Sequence, residues 1–471
     1  MNDMKPPKPI STPDLEPTEQ GLYAKHKKVY PRSTRGIFTV LRRLSVILLL
    51  GIYYVVPWIS WGDRQAVLFD LPERKFYIFG WTFWPQDFFY MALLLIIAAL
   101  ALFFFTALAG RLWCGYACPQ TVWTEVYLWM ERLVEGNHTA RMKRDRGPWT
   151  AEKITKKAIT QTLWIVFSLY TGFTFVGYFT PVEELWTNII TFSTGPWETF
   201  WVLFYGFATY GNAGFLREQV CIYMCPYARF QSAMFDKDTL IISYDEKRGE
   251  PRGSRKRGAD PKALGLGECI DCKICVQVCP TGIDIRNGLQ YQCIGCAACI
   301  DACNEIMDKM GYPRGLVRYT TENALEGKTT RILRPRMVVY GTLMTVIVGA
   351  LFYAIATRTP LDLDVIRDRN TLYRETNEGW VENVYTMKVI NMDEQPHTYR
   401  LSVVGLEGAI LSIRDDAIHV PAGEVLNLPV GVSVDPETLK AASTEVEFVL
   451  EAIDAPDLRV TETGRFVGPR R

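Results

Sequence analysis

Histidine and haem-binding motifs are scarce in this sequence. The 471 residues contain four histidines, and none lies in an apolar run long enough to cross a membrane: His26, His138, His397 and His419. A haem held between membrane helices needs axial ligands, and covalent attachment uses a C-x-x-C-H motif, which is missing. Gly265-Leu-Gly267 is too short for a dinucleotide fingerprint. The sequence therefore excludes a bis-histidine membrane haem and disfavours direct oxidation of a nicotinamide.

Net charge and the distribution of cysteine exclude two further classes of protein. The formal net charge is only +1, so no nucleic-acid partner is indicated. All twelve cysteines lie between Cys114 and Cys303. Because none follows Cys303, the C-terminal part of the chain is not a disulfide scaffold.

The cysteines from 269 to 303 form two successive C-x2-C-x2-C-x3-C runs. This pattern is typical of ferredoxins with two [4Fe-4S] clusters, in which the fourth cysteine of each run binds the other cluster. A zinc ribbon would use C-x2-C pairs that lie further apart. Asn304 replaces the proline expected after the second run, but no ligand is lost. We predict one cluster on Cys269, Cys272, Cys275 and Cys303, and a second on Cys293, Cys296, Cys299 and Cys279.

Five apolar runs predict a multi-pass membrane protein in contact with lipid: 44–61, 88–109, 160–180, 199–212 and 337–357. The segment 111–159 is rich in Lys and Arg, whereas 181–197 has neither. The positive-inside rule then places the N-terminus, segment 111–159 and segment 213–336 in the cytoplasm and the C-terminal domain on the outer side. In a Gram-negative bacterium these would be the inner membrane and the periplasm. The basic run 252–257 is interpreted as a flank near lipid.

The C-terminal region changes to short segments rich in β-branched residues, at 384–392, 398–404, 424–434 and 445–452. Turn residues separate them, which predicts an all-β, immunoglobulin-like sandwich. The fold class is thus a membrane α-helical protein with five transmembrane helices, an inserted two-[4Fe-4S] ferredoxin-like domain and this sandwich. The predicted domains are a disordered basic arm (1–36), a four-span membrane domain (37–235), the cluster domain (236–336), a fifth transmembrane helix (337–357) and the immunoglobulin-like domain (358–471).

Four further cysteines form two C-x3-C-P motifs, each after an apolar run: Cys114, Cys118, Cys221 and Cys225. Repeated elements in membrane proteins often meet at one site. Proline suits the first turn of a helix, where the dipole would lower the pKa of a preceding thiol. Thiolates favour Cu(I). The same four thiols could instead be inert packing, a structural zinc site or a third iron–sulfur cluster.

The spans, the paired C-x3-C-P motifs, the tandem cluster segment and the outer sandwich together resemble the CcoG family, also called FixG or RdxA. The resemblance implies a cupric reductase that supplies Cu(I) for assembly of cbb3-type cytochrome c oxidase. The catalytic, copper-binding residues would then be Cys114, Cys118, Cys221 and Cys225. It further implies a homodimer that works with the oxidase assembly machinery.

The residues and the resemblance support one working hypothesis and two alternatives. An unidentified cytoplasmic electron donor would charge the clusters, one electron would reduce Cu(II) at the paired thiols, and Cu(I) would leave to a copper carrier or transporter. The first alternative is a quinol-oxidising membrane ferredoxin of the NapH type, although such a protein is not expected to carry the outer sandwich. The second is a non-redox assembly scaffold with structural clusters.

Overall fold

The computed structural model describes residues 28–439 and 441–469. Its α-helices are α1 (Ile37–Val55), α2 (Phe88–Ala109), α3 (Leu112–Tyr116), α4 (Pro119–Glu135), α5 (His138–Arg146), α6 (Ala151–Val176), α7 (Val182–Ile190), α8 (Pro196–Thr209), α9 (Pro226–Ala233), α10 (Glu246–Gly249), α11 (Ile274–Gln277), α12 (Ala298–Met310), α13 (Glu322–Leu325) and α14 (Pro335–Ala356).

The strands are β1 (Ser60–Trp61), β2 (Arg64–Gln65), β3 (Val67–Asp70), β4 (Lys75–Ile78), β5 (Trp81–Phe83), β6 (Ile241–Tyr244), β7 (Val317–Thr320), β8 (Leu361–Arg367), β9 (Arg374–Glu375), β10 (Val381–Asn391), β11 (His397–Val404), β12 (Ile410–Ser412), β13 (Ile418–Val420), β14 (Val425–Val434), β15 (Ser443–Ala452) and β16 (Arg459–Val467). The strands β1 to β5 all lie between α1 and α2.

The chain divides into two compact units. The first takes in the described residues up to Val55, Leu102–Val176 and Thr194–Met337. The second takes in Val56–Ala101, Gly177–Ser193 and the chain from Val338 onward. The predicted cluster segment and all four C-x3-C-P cysteines belong to the first unit, and the sandwich belongs to the second.

Among the described residues, four helices are long and apolar enough to cross a membrane: Ile37–Trp58, Pro85–Ala109, Ala151–Val176 and Pro335–Ala356. The first of these helices begins at Ile37, seven residues before the predicted apolar run 44–61, so Arg42 and Arg43 lie within it. The predicted fourth run instead forms α8, which is followed by π-helical turns at Tyr210–Leu216 and Val220–Met224. The π turns interrupt the regular α-helix, so α8 is not among the four long apolar helices. The fourth membrane span of the sequence therefore stays a prediction.

Small residues let α6 and α8 approach closely within the first unit. A Cβ on Gly172 would lie 2.2 Å from the carbonyl oxygen of Val202, and one on Gly206 would lie 3.4 Å from that of Ser168. Small residues at such crossings are typical of membrane helix pairs, since close backbone contact replaces the hydrophobic effect. This pair therefore forms a fixed support for the π-helical turns that follow α8.

The strands β6 and β7 pair antiparallel and join the two ends of the segment between them. We call this segment, which carries both cysteine runs, the cluster lobe. Helix α12 carries the end of the second cysteine run, and Asp301 on it reaches α1. The Asp301 carboxylate accepts hydrogen bonds from the Thr39 backbone N–H and hydroxyl, both at 2.7 Å. The first turn of a helix has unpaired N–H groups, and Asp301 accepts from two of them, those of Phe38 and Thr39, from a distant part of the sequence.

The predicted basic arm is structured over its last part. The Arg32 backbone N–H donates to the Gln277 carbonyl at 2.9 Å, and the Tyr30 hydroxyl donates to Asp145 at 2.6 Å. Residues 28–36 therefore pack on the first unit rather than forming a disordered arm, because their polar groups have partners there. Residues 1–27 of the arm lie outside the described residues.

The C-terminal part of the second unit is a sandwich of two antiparallel sheets. One sheet has the order β12-β14-β10-β8, with β9 on β10, and the other has the order β13-β11-β15-β16. Alternate residues of both sheets fill the core between them, including the fully buried Tyr385, Met387, Val432 and Phe448. The predicted strands and turns are found within three residues of their expected positions.

Candidate functional site

The two cysteine runs of segment 269–303 adopt the same unusual backbone turns. Asp271 and Gly295 hold equivalent places and have φ angles of 52° and 69°; Lys273 and Ala297 are equivalent and have φ angles of 53° and 58°. Left-handed backbone at residues other than glycine is costly and clusters at functional sites. Alternation of backbone hand also points successive N–H groups into a concave nest, which is common at iron–sulfur sites. Both turns fit an anionic cluster.

The first predicted set of ligands lines one cavity. The thiols of Cys269, Cys272, Cys275 and Cys303 all face it. Burial, together with the neighbouring Cys269 and Cys272, raises the pKa of Cys303 to about 12. The cysteine from the second run thus joins three from the first, as the ferredoxin pattern predicts.

The second predicted set is more deeply enclosed. Burial, reinforced by Cys296 and Cys279, raises the pKa of Cys293 to about 12. Burial also raises the pKa of Cys299 well above its usual value, and Cys296, Cys293 and Cys279 add to the shift. Cys279 of the first run therefore lies with the three cysteines of the second. Cys275 also acts on Cys299, so the two sets are neighbours.

Within the part of the chain that the structure describes, no three His, Cys, Asp or Glu side chains are grouped closely enough to hold a single metal ion. A zinc site needs its ligands about 2.0–2.3 Å from one ion. A cubane cluster distributes four thiolates over four irons, so its ligands stand further apart. The order of the cysteines and the two backbone nests therefore fit two [4Fe-4S] clusters.

Each C-x3-C-P motif ends at the start of a helix. Cys118 is the N-cap of α4 with Pro119 at its first position, and Cys225 is the N-cap of α9 with Pro226 there. Proline is favoured at this position because its fixed φ suits the helix and its missing N–H would have no partner. The first cysteine of each pair lies in the preceding turn, Cys114 in α3 and Cys221 in the π-helical turn Val220–Met224.

The four C-x3-C-P cysteines lie near one another within one chain, although no three of them are close enough in this structure to share a single metal ion, and we call them the thiol centre. Cys221 is within electrostatic range of Cys118, Cys114 and Cys225. Cys114 is in turn within range of Cys118 and Cys225. The internal repeat therefore brings its matching motifs to one place in the first unit.

Burial, and not the helix dipole, sets the direction of the pKa shift for Cys114, Cys118 and Cys221. Burial raises the pKa of Cys114 and of Cys221 to about 12. Burial also raises the pKa of Cys118, although backbone hydrogen bonds from Thr121 and Gln120 oppose the shift. The expected lowering of the thiol pKa by a helix N-terminus is therefore wrong, because desolvation of a thiolate outweighs it. Such thiols are poor free nucleophiles, and a bound cation would stabilise their thiolate form.

The thiol centre adjoins the second ligand set. Cys114 and Cys221 share one apolar core with Cys296 and Cys299. A Cβ on Gly115 would lie 2.9 Å from the Cys296 backbone nitrogen, so only glycine permits this approach. The two groups of cysteines are thus separated by a single layer of backbone.

Three polar side chains at this junction were not predicted from the sequence: Arg42, Arg111 and Gln231. The Arg111 guanidinium donates to the carbonyls of Tyr291 and Cys293, and through Nε to Gln231 at 2.8 Å. The Cys114 thiol lies 3.5 Å from the Gln231 amide oxygen, to which it donates. Arg42 on α1 places its positive charge within electrostatic range of Cys296. Arg111 stands only three residues before Cys114, which is the one local signal that could have identified it.

Three family models match this chain. Residues 216–322 match a 4Fe-4S dicluster domain, and residues 351–469 match an Ig-like fold at the C-terminal of FixG. These matches confirm the prediction of an iron–sulfur dicluster segment and of an immunoglobulin-like C-terminal domain. Residues 91–135, which include Cys114 and Cys118, match a 4Fe-4S binding domain.

Full-length relatives establish the family. Protein RdxB of Cereibacter sphaeroides is 42% identical over 435 residues, covering 88% of this chain and 90% of that protein. Nitrogen fixation protein FixG of Rhizobium meliloti is 38% identical over 456 residues, covering 88% and 86%. A crystal structure of a FixG-related protein from Vibrio parahaemolyticus is 39% identical, covers 23% of this chain and 95% of that chain, and has a TM-score of 0.21. This chain therefore belongs to the CcoG family of iron–sulfur proteins, which includes FixG, RdxA and RdxB.

Proposed function

We propose that this protein reduces Cu(II) to Cu(I) at the thiol centre, for assembly of cbb3-type cytochrome c oxidase. The observation that supports this proposal is the convergence of Cys114, Cys118, Cys221 and Cys225 beside Cys296. Bound at their eight cysteines, the two clusters supply single electrons, and one electron converts one Cu(II) to Cu(I). The substrate and the donor are thus matched in electron number.

The thiol centre suits the product better than the substrate. Thiolates are soft ligands that favour Cu(I), so binding there makes the reduction of Cu(II) more favourable. The neutral thiols must lose protons and move closer together when the ion binds, because metal ligands are thiolates that surround one ion. Gln231 accepts from the Cys114 thiol and orients it, while Arg111 places a positive charge nearby that partly offsets burial.

The proposed setting follows the charge distribution in the sequence. The basic segment 111–159 favours a cytoplasmic position for the thiol centre and the cluster lobe. The sandwich would then lie in the periplasm. A homodimer, an electron donor in the cytoplasm and a copper carrier that removes Cu(I) complete the proposal.

The test uses full-length, cluster-loaded protein that is reduced without oxygen, freed of reductant and mixed with Cu(II). We expect one Cu(I), trapped by a chromogenic chelator, for each electron that the clusters lose. A double variant, Cys114→Ser with Cys225→Ser, should lose copper reduction and keep both cluster signals. Full copper reduction by this variant would overturn the proposal, as would rapid oxidation by a quinone analogue without any reaction with Cu(II).

A second candidate has its own support. The match of residues 91–135 to a 4Fe-4S binding domain includes two of the thiol-centre cysteines. The thiol centre would then hold a third cluster and serve as an electron relay. Iron analysis separates the two, since two cubanes give about eight irons per chain and three give about twelve. Loss of about four irons in the double variant would support the relay and remove the copper site.

A further inference from the structure

The basic run that was interpreted as a lipid flank lies against the first ligand set. The Gly253 backbone N–H donates to the Cys269 carbonyl at 3.2 Å. Segment 251–263 carries five basic residues and one acidic residue, Asp260, for a net charge of +4. We call the five the basic strip: Arg252, Arg255, Lys256, Arg257 and Lys262.

Arg255 attaches the basic strip to Tyr312, just after the end of α12. The Arg255 Nε donates to the Tyr312 hydroxyl at 2.9 Å, and its guanidinium lies over the Tyr312 ring. The Tyr312 hydroxyl donates in turn to the Ala259 carbonyl at 2.8 Å. The strip is thereby held on the cluster lobe, while Lys256, Arg257 and Lys262 remain exposed.

The basic strip borders the most accessible cysteine of the lobe. Of the eight predicted cluster ligands, all of which the structure describes, Cys272 alone is exposed. Arg252 lies within electrostatic range of Asp271, which precedes Cys272 in the chain. The second ligand set, which includes Cys296, has no exposed cysteine and packs beside the thiol centre. An external electron carrier therefore comes closest to a ligand at Cys272, on the side where the positive charge is concentrated.

We propose that the basic strip and the turn around Cys272 form the docking surface for a small, acidic, one-electron carrier protein. Complementary charge steers such an encounter and accelerates association by about 10- to 1,000-fold. Docking here brings the donor to Cys272, so that one electron passes from the reduced carrier to the protein while the carrier is oxidised. The proposal rests on the electron-transfer part of the proposed function, and copper does not enter its test.

The probe is an oxidised, acidic [2Fe-2S] ferredoxin, and the readout is its equilibrium binding to the full-length protein in discs of uncharged lipid. The variant Lys256→Glu with Arg257→Glu reverses two exposed charges and leaves Arg255 in place. We expect binding at low salt to weaken by about tenfold or more, and its salt dependence to flatten, because rim charges act mainly on steering. The screening length falls from about 30 Å at 0.01 M salt to about 8 Å at 0.15 M, which sets the range to scan.

The matched control is Lys143→Glu with Arg146→Glu, which reverses two exposed charges on α5. It should bind the ferredoxin like the unaltered protein. If both double variants weaken binding equally, net charge and not a docking surface is responsible, and the proposal fails. It also fails if the strip variant loses affinity only for vesicles rich in anionic lipid. Should the strip variant lose iron, Lys262→Glu offers the same test at one position.

A kinetic arm separates docking from redox chemistry. Reduced ferredoxin should reduce the strip variant more slowly, whereas reduction by the methyl viologen radical, a small cation, should be unchanged or faster. Equal slowing with both reductants would mean that the substitution altered the redox site itself. Either arm can fail while copper reduction survives, and copper reduction can fail while both arms succeed.

Discussion

Replacing Gly115 with alanine should loosen the junction between the thiol centre and the second ligand set. An added Cβ would lie 2.9 Å from the Cys296 Cα and from its nitrogen, whereas ordinary contacts are 3.4–4 Å. Backbone cannot rotate aside as a side chain can, so α3 and the cluster turn must separate by roughly 0.5–1 Å, a size of overpacking that typically costs about 1–3 kcal/mol. Alanine in place of glycine in a helix recovers about 0.5–1 kcal/mol.

The expected net loss in the free energy of unfolding is therefore about 1 kcal/mol, within a range of about 0–2.5 kcal/mol. In a domain of this size a loss of about 1 kcal/mol lowers the melting temperature by about 2–4 °C. The assay is thermal denaturation in detergent, followed through the absorbance of the clusters. Electron paramagnetic resonance of the reduced protein should show an altered signal from the cluster on Cys296 and an unaltered one from the cluster on Cys269.

Gly51→Ala is the matched control. Gly51 lies in α1, and an added Cβ there meets nothing within 4 Å. It should leave the melting temperature unchanged or slightly higher, because only the helix propensity changes. If Gly115→Ala and Gly51→Ala have the same melting temperature and both cluster signals are normal, α3 does not pack against the Cys296 turn. That result would refute the close contact between the thiol centre and the second ligand set.

Two further outcomes follow from single side chains. Arg42→Gln removes a positive charge near Cys296. Because a nearby positive charge raises the reduction potential of a cluster, one of the two potentials should fall by about 60 mV in a redox titration, which is a tenfold change for one electron. A change in both potentials or in neither would contradict this proximity. Burial lowers the pKa of His397, but hydrogen bonds to Asp393 and Asp454 outweigh it and leave the pKa raised. The folded sandwich therefore binds a proton more tightly than the unfolded chain, and its stability should be complete below the usual histidine pKa of about 6.5 and decline as the pH rises through the higher folded value. His397→Asn should remove that pH dependence, which can be checked by measuring the melting temperature at pH values below and above the raised pKa of His397.

The chemistry of the site was predictable where it is local. Cysteine spacing within Cys269 to Cys279 determines which thiols can surround one cluster, and Pro119 and Pro226 mark the helix starts, because both signals depend on a few neighbouring residues. The strands of the sandwich were predictable for the same reason, since the period of two is visible in any short window.

The features that were missed depend on long-range contacts. Arg42 and Gln231 reach the site only after the chain has folded, so no pattern near them in the sequence indicates it. The pKa of Cys118 was predicted in the wrong direction because burial is a property of the packed unit, whereas the helix dipole can be inferred from one proline. The π-helical turns after α8 likewise have no composition that distinguishes them from an ordinary helix.

The bond between Asp301 and Thr39 has a consequence for biosynthesis. The two residues are 262 positions apart, so the start of α1 is translated long before the group that satisfies it. Asp301 lies between Cys299 and Cys303 on α12, and its position depends on the cluster lobe having closed. Until α12 has folded, the N-terminal turn of α1 therefore lacks this partner, so the packing of the first long helix is completed only by a segment that is translated much later.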